Sequence, residues 1–269
     1  MKKQSRGLTL IELIVVVAIL GVLAAMLLPK FDGLQNAANH VAAGSSITDA
    51  AKLISGYKAA KTVFPDRWDS LQTSGALWTS GNAGNETKGL HTQLVDGTTA
   101  KLTLGTAITT TQVSVLRSAG ITTLMNLTGT SGRPGDSFTT GVTISDSTRF
   151  AVINSSSASG MKIIDRIYRV NQMSGNVTGV PGAIASTITN PAGDSSAQLI
   201  VVGLGPMNAL IPNSMMEAPT YGGANANFIY NRLLAVFELT STKITFKAML
   251  GADGDLLDDL TIHMQGSAL

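Results

Sequence analysis

The apolar and polar positions along the chain divide it sharply near residue 30. Residues 8–28 form a nearly unbroken apolar run with one charge, Glu12. A run of about 20 apolar residues is long enough to cross a bilayer as a helix. Lys2, Lys3 and Arg6 precede it, which predicts a cytoplasmic N-terminus and an outward-facing remainder. Lys30 can reach the far interface with its ammonium. Pro29 predicts a kink or break, because it lacks an N–H and clashes with the preceding turn. Beyond it the apolar positions change to one stripe: Phe31, Leu34, Ala38 and Val41, then Ile47, Ala50, Ile54 and Tyr57. That spacing is helical, with Gln35, Asn39, Asp49 and Lys52 on the other face. The pattern predicts one helix over 8–60, roughly 80 Å long at 1.5 Å per residue. Its first half is apolar all round, and its second half needs a body to lie on.

After residue 61 the periods shorten. Pro65 ends regular structure, and Asp66 is placed to cap a short helix that Gly75 closes. Trp68, Leu71 and Trp78 read as packing residues. Residues 79–100, rich in Gly, Asn and Thr, predict loops with short strands. Residues 109–119 predict a helix with Val113 and Leu116 inward and Gly120 as its stop. Strands are predicted at 141–145, 162–170, 198–204, 230–239, 243–250 and 260–264. The fourth and fifth of these read as a hairpin over Thr240-Ser241-Thr242. The expectation is an α+β fold: a long N-terminal helix packed on an antiparallel β-sheet, with the body spanning 61–269.

Composition sharpens this picture in three places. With 44% apolar and 13% charged residues, the chain can build a sizeable core. The net charge of +2 includes the three leader cations, and without them it falls to −1. Bulk charge therefore gives no argument for a nucleic-acid partner. Cysteine is absent, which excludes disulfides, thiolate zinc sites, Cys nucleophiles and a Cys-linked lipid anchor.

Glu12 is the anomaly. A carboxylate deep in a membrane span costs about 2.5–3.5 kcal/mol, and such a residue points to function. A secretory signal cut after Ala24 leaves it unexplained, and so does an uncleaved anchor. The run Lys2, Lys3, Arg6, Gly7, Leu8-Thr9-Leu10-Ile11-Glu12, then an apolar helix and Pro29, resembles the N-terminus of type IV prepilins and type II secretion pseudopilins. The resemblance implies cleavage after Gly7 by a prepilin peptidase and methylation of the new amine on Leu8. It makes Glu12 the glutamate at the fifth mature position and Pro29 the helix-breaking proline. The family's usual first mature residue is Phe, whereas this chain has Leu. The implied product is a structural subunit held in the bacterial inner membrane by one pass. It would then join other pilin or pseudopilin subunits, through an inner-membrane assembly platform, in a periplasmic or extracellular filament. Residues 1–7 would be the leader and 8–28 the assembly segment. The competing expectation is an exported or anchored binding protein that forms no filament.

No catalytic constellation emerges. Ser55-Gly56-Tyr57-Lys58 fits S-x-x-K but lacks its companion motifs. Gly203-Leu204-Gly205-Pro206 has no third glycine at Asn208. His40, His91 and His263 are too dispersed for a metal or a triad. The expectation is a non-enzyme. One acidic stretch, 251–259, carries Asp253, Asp255, Asp258 and Asp259. Hard cations take several oxygens on a turning backbone, and the stretch resembles, loosely, the calcium loop of major pseudopilins. It is not an EF-hand, and a solvated Asp-Gly turn is the alternative.

Overall fold

The computed structural model describes residues 10–73, 75–78, 89–95, 97–127, 138–168, 197–219 and 230–256. Of residues 24–40, 43, 73, 127 and 138–140 it describes the backbone only.

Helix α1 spans Leu10–Lys61, 52 residues, about 78 Å of axis. It is unbroken at Pro29. One missing N–H does not end a helix whose neighbouring turns are intact, so the predicted break is absent. The predicted stripe is buried from residue 47 onward: Ile47, Ala50 and Ile54 are core, and Tyr57 packs partly against them. Val41 is exposed.

The chain leaves α1 through strained backbone. Thr62, Arg67 and Leu71 all have left-handed φ, 64°, 63° and 60°. Here the predicted short helix is replaced by strands. β1 is Trp68–Asp69, and β2 (Gln72–Thr73) and β3 (Ala76–Leu77) form a small hairpin. Asp66 caps no helix. Its carboxylate instead accepts from the backbone N–H groups of Thr122 (2.8 Å) and Thr123 (2.9 Å) and the Thr122 hydroxyl (2.6 Å). It thus stitches the helix exit to β5, Thr123–Leu127.

The stretch predicted as loops contains α2 (Thr92–Val95) and a 3-10 turn, Gly97–Thr99. β4, Leu102–Ala107, follows. The expected helix near 109–119 is α3, Thr110–Ser118. Thr109 and Gln112 close its start reciprocally through side chain and backbone. Gly120 ends it with φ 91°, and a Cβ there would lie 2.7 Å from the Val63 Cβ. β6 (Phe138–Thr143), β7 (Arg149–Ile153), α4 (Ala158–Tyr168), β8 (Gln198–Gly203), α5 (Leu210–Ser214), β9 (Leu234–Leu239) and β10 (Ile244–Leu250) complete the described elements.

The sheet is mixed, not purely antiparallel as expected. Its main path runs β10-β9-β8-β1-β5-β6, and the β1–β5 pair is parallel. β8 divides its second edge. Asp69 of β1 pairs with Gly203, while Ala151 and Val152 of β7 pair with Val201 and Ile200. β4 extends the branch by pairing with β7. The β9–β10 hairpin forms as predicted, Ile244 opposite Leu239.

Both faces of the central strands are covered. Ile200, Val202, Ala235, Phe237 and Leu239 enter one core with α1, α3 and α5. Leu199, Val201, Leu234 and Val236 enter a second core with α2 and α4. Burial on both faces explains why β8 and β9 read as continuous apolar runs. Phe237 anchors the first core, edge-on to Phe64 at 5.1 Å and to Trp68 at 5.4 Å.

Candidate functional site

Two regions were singled out by the sequence: the N-terminal helix segment and the C-terminal acidic loop. Glu12 lies in the first turn of α1, where the helix dipole favours a carboxylate. The apolar side chains around it are in the open. Leu10 is 77% exposed and Ile11 71%, and Leu13, Ile14, Val15, Val16, Val17, Ile19, Leu20, Val22 and Leu23 are all at least half exposed. Gly7 and Leu8 lie outside the described residues, and Pro29 is described by backbone alone. Among the described residues no helix is long and apolar enough to cross a membrane. The stretch with described side chains stops at Leu23, short of the about 20 residues a bilayer needs.

The described part of the acidic loop, residues 251–256, gathers around a lysine. After β10 the chain turns, Gly251 N–H to Asp255 O at 2.9 Å. Gly254 sits at φ 81°, and a Cβ there would come within 2.8 Å of the Lys101 Cδ. The Lys101 ammonium donates to the Asp253 carbonyl (2.8 Å), the Asp255 carboxylate (2.6 Å) and the Gln93 amide oxygen (3.0 Å). The Asp253 carboxylate accepts from the Asp255 N–H at 3.1 Å. His91 stands near. Its burial lowers its pKa, as does the Lys101 charge, while Asp253 and Asp255 pull it back up. Calcium takes six to eight oxygens. The oxygens this part of the loop gathers surround the Lys101 ammonium. Asp258 and Asp259 lie outside the described residues, and no group of three or more metal-ligating side chains occurs among the described ones.

The remaining motif of chemical interest comes apart. Ser55 donates to the Ala51 carbonyl of its own helix at 2.9 Å, and the Lys58 ammonium sits 3.8 Å from the centre of the Phe64 ring.

Sequence reasoning missed a buried polar pair. Asp69, fully buried, accepts a 2.9 Å hydrogen bond from the Tyr230 hydroxyl. Burial pushes the Asp69 carboxyl up to about 8, against the opposing pull of the Tyr230 hydroxyl and the Arg232 charge. Tyr230 is raised too, first by burial and then by Asp69. The signals for this site were Gly203 and Gly205. A Cβ on Gly205 would meet both Asp69 carboxylate oxygens at 2.2 Å.

Comparison with curated proteins and with solved structures finds no match for the chain. Comparison with family descriptions finds one. Residues 2–28 match the prokaryotic N-terminal methylation motif, so the chain carries the signature of the precursors of type IV pilins and pseudopilins.

Proposed function

We propose that this protein is a structural subunit of a type IV pilus or of a type II secretion pseudopilus, and not a catalyst. The observation that carries the reading is the N-terminal helix segment under the methylation motif. Its described apolar side chains, Leu10 to Leu23, are exposed all round, with Glu12 in the first turn. Such a surface is stable only in lipid or against other apolar helices. A prepilin peptidase cuts after Gly7 and leaves a methylated amine on Leu8. The subunit waits in the inner membrane with its body outside, and an assembly platform then moves it from lipid into a bundle of like helices. In that bundle the Glu12 carboxylate pairs with a Leu8 amine, its own or a neighbour's. Pairing offsets the roughly 2.5–3.5 kcal/mol that a lone carboxylate costs in an apolar surround, so Glu12 sets the register of stacking.

The test begins with the N-terminal residue and intact mass of the membrane-extracted protein. The expected chain starts at Leu8 and carries one extra methyl. A chain starting at Ala25, or an intact Met1 beside an active peptidase, would sink the proposal. Glu12→Leu is then expected to insert in the membrane at the normal level but to yield far less sheared filament. Filament at the wild-type level would remove the register role.

A further inference from the structure

We propose that the ammonium of Lys101 is the resident cation of the C-terminal loop, and that the loop closes on the body without calcium. An ammonium has three N–H donors, and here each has an acceptor. The acceptors come from two distant parts of the chain, Gln93 in α2 and Asp253 and Asp255 after β10. The Lys101–Asp255 pair spans 154 residues of sequence. The pair is mostly shielded, with side-chain exposures of 11% and 19%. The backbone is shaped to admit the lysine. Gly254 takes a left-handed φ and leaves out the Cβ that would collide with the Lys101 stem and with Leu94. The Asp253 side chain turns back onto the Asp255 N–H, so it closes the turn and does not point outward as a free ligand.

A divalent ion entering at this point would have to take the same oxygens and sit beside a buried positive charge. The lysine does what a metal does in other acidic loops. It gathers oxygens and pins a turn, but it does so with a group that belongs to the chain itself. The turn it pins lies against Leu94, which belongs to the second core together with Leu102 and Leu256. The proposal goes beyond the filament reading, since neither readout below requires assembly.

The experiment uses the full chain in detergent. Calorimetric titration with calcium chloride is expected to show no saturable site. Thermal unfolding midpoints in chelator and in millimolar calcium are expected to agree within about 1 °C, since a ligand that does not bind the native state cannot stabilise it. A stoichiometric calcium site that raises the midpoint and disappears in Asp255→Asn would overturn the proposal. Lys101→Met is expected to lower the midpoint by roughly 5–15 °C, because it strands a shielded carboxylate. Adding Asp255→Asn to Lys101→Met is expected to recover part of that loss, because it removes the stranded carboxylate. Independent, additive losses would overturn the latch. If Lys101→Met does not fold, the calcium titration of the wild-type chain decides alone.

Discussion

At the scale of single residues, Asp69 is the most consequential group outside the N-terminal motif. It sits where β1 meets β8, opposite Gly203, with Tyr230 donating to one carboxylate oxygen. A Cβ on Gly203 would fall 1.6 Å from the Tyr230 hydroxyl, so only glycine fits there. The carboxyl is raised from 3.8 to about 8, chiefly by burial. Between those values the unfolded chain releases the proton and the folded chain keeps it. Stability from this group is therefore fullest at low pH and falls as pH rises toward 8. Among the described residues, the Tyr230 hydroxyl faces it as a hydrogen-bond donor and Arg232 as a charge, whose guanidinium also donates to the Ala218 carbonyl at 3.1 Å. His91 acts the other way. Its lowered pKa means that stability is lost as pH falls below 6.5. Asp69→Asn keeps an oxygen for Tyr230 but cannot titrate. Its thermal midpoint is expected to change less between pH 6.5 and 8 than that of the wild type. His91 is common to both proteins and cancels in the difference. Equal slopes in the two proteins would mean that Asp69 is already ionised in the folded state.

At the scale of elements, the exit of α1 is under strain. Thr62 follows the last helical residue, and its N–H bonds the Lys58 carbonyl at 2.8 Å with φ 64°. This left-handed closure is the one glycine makes without a steric penalty. A β-branched residue holds it at a cost of about 1–2 kcal/mol, and Thr62 is exposed and makes no core contact in return. Thr62→Gly is expected to stabilise the folded chain by roughly 1 kcal/mol, less the extra backbone entropy of glycine. Urea unfolding would register the gain as a higher midpoint at unchanged slope, whereas a lower midpoint would show that the strain is offset elsewhere. Elements with a long, clean period were legible in the sequence: α1, α3 and the β9–β10 hairpin. The segment at 162–170 was not. Its isoleucines suggest a strand, but Ile163-Ile164 and Ile167-Tyr168 recur four apart, and its described residues, 162–168, belong to α4. Ser157, which accepts from the Gly160 N–H at 2.9 Å, marks its start and was the available clue. Strands β1, β5 and β7 were missed because each is short, and β4 because Gly105 and Thr106 interrupt its apolar pattern. The site divides along the same line. The N-terminal motif is contiguous and readable, while the Lys101 latch joins residues that only the fold brings together.

At the scale of the whole molecule, the exposed apolar segment and the body are energetically separate. The first core begins at Ile47, and its members come from α1 beyond that point and from the sheet, α3 and α5. Every described apolar side chain of α1 before residue 41 is exposed, and Val41 itself is 58% exposed. Removing residues 1–40 therefore takes away no described core contact, while it removes the surface that demands lipid or other helices. The truncated chain still carries the Ile47, Ala50 and Ile54 stripe, which it needs, because a half-length α1 held only by propensity would fray. Truncation tolerance follows from what the lost residues bury and not from their position in the chain. The truncated chain is expected to be soluble and monomeric by light scattering. It should unfold cooperatively at a midpoint within a few degrees of the detergent-held full chain (about 2–4 °C corresponds to 1 kcal/mol in a domain of this size). The same chain is expected to be absent from filaments, because it has lost Glu12 and the helix that carries it. A truncated chain that aggregates, or melts far below the full chain, would show that the N-terminal segment is part of the body's core. The exposed helix could then no longer be read as a surface kept free for assembly.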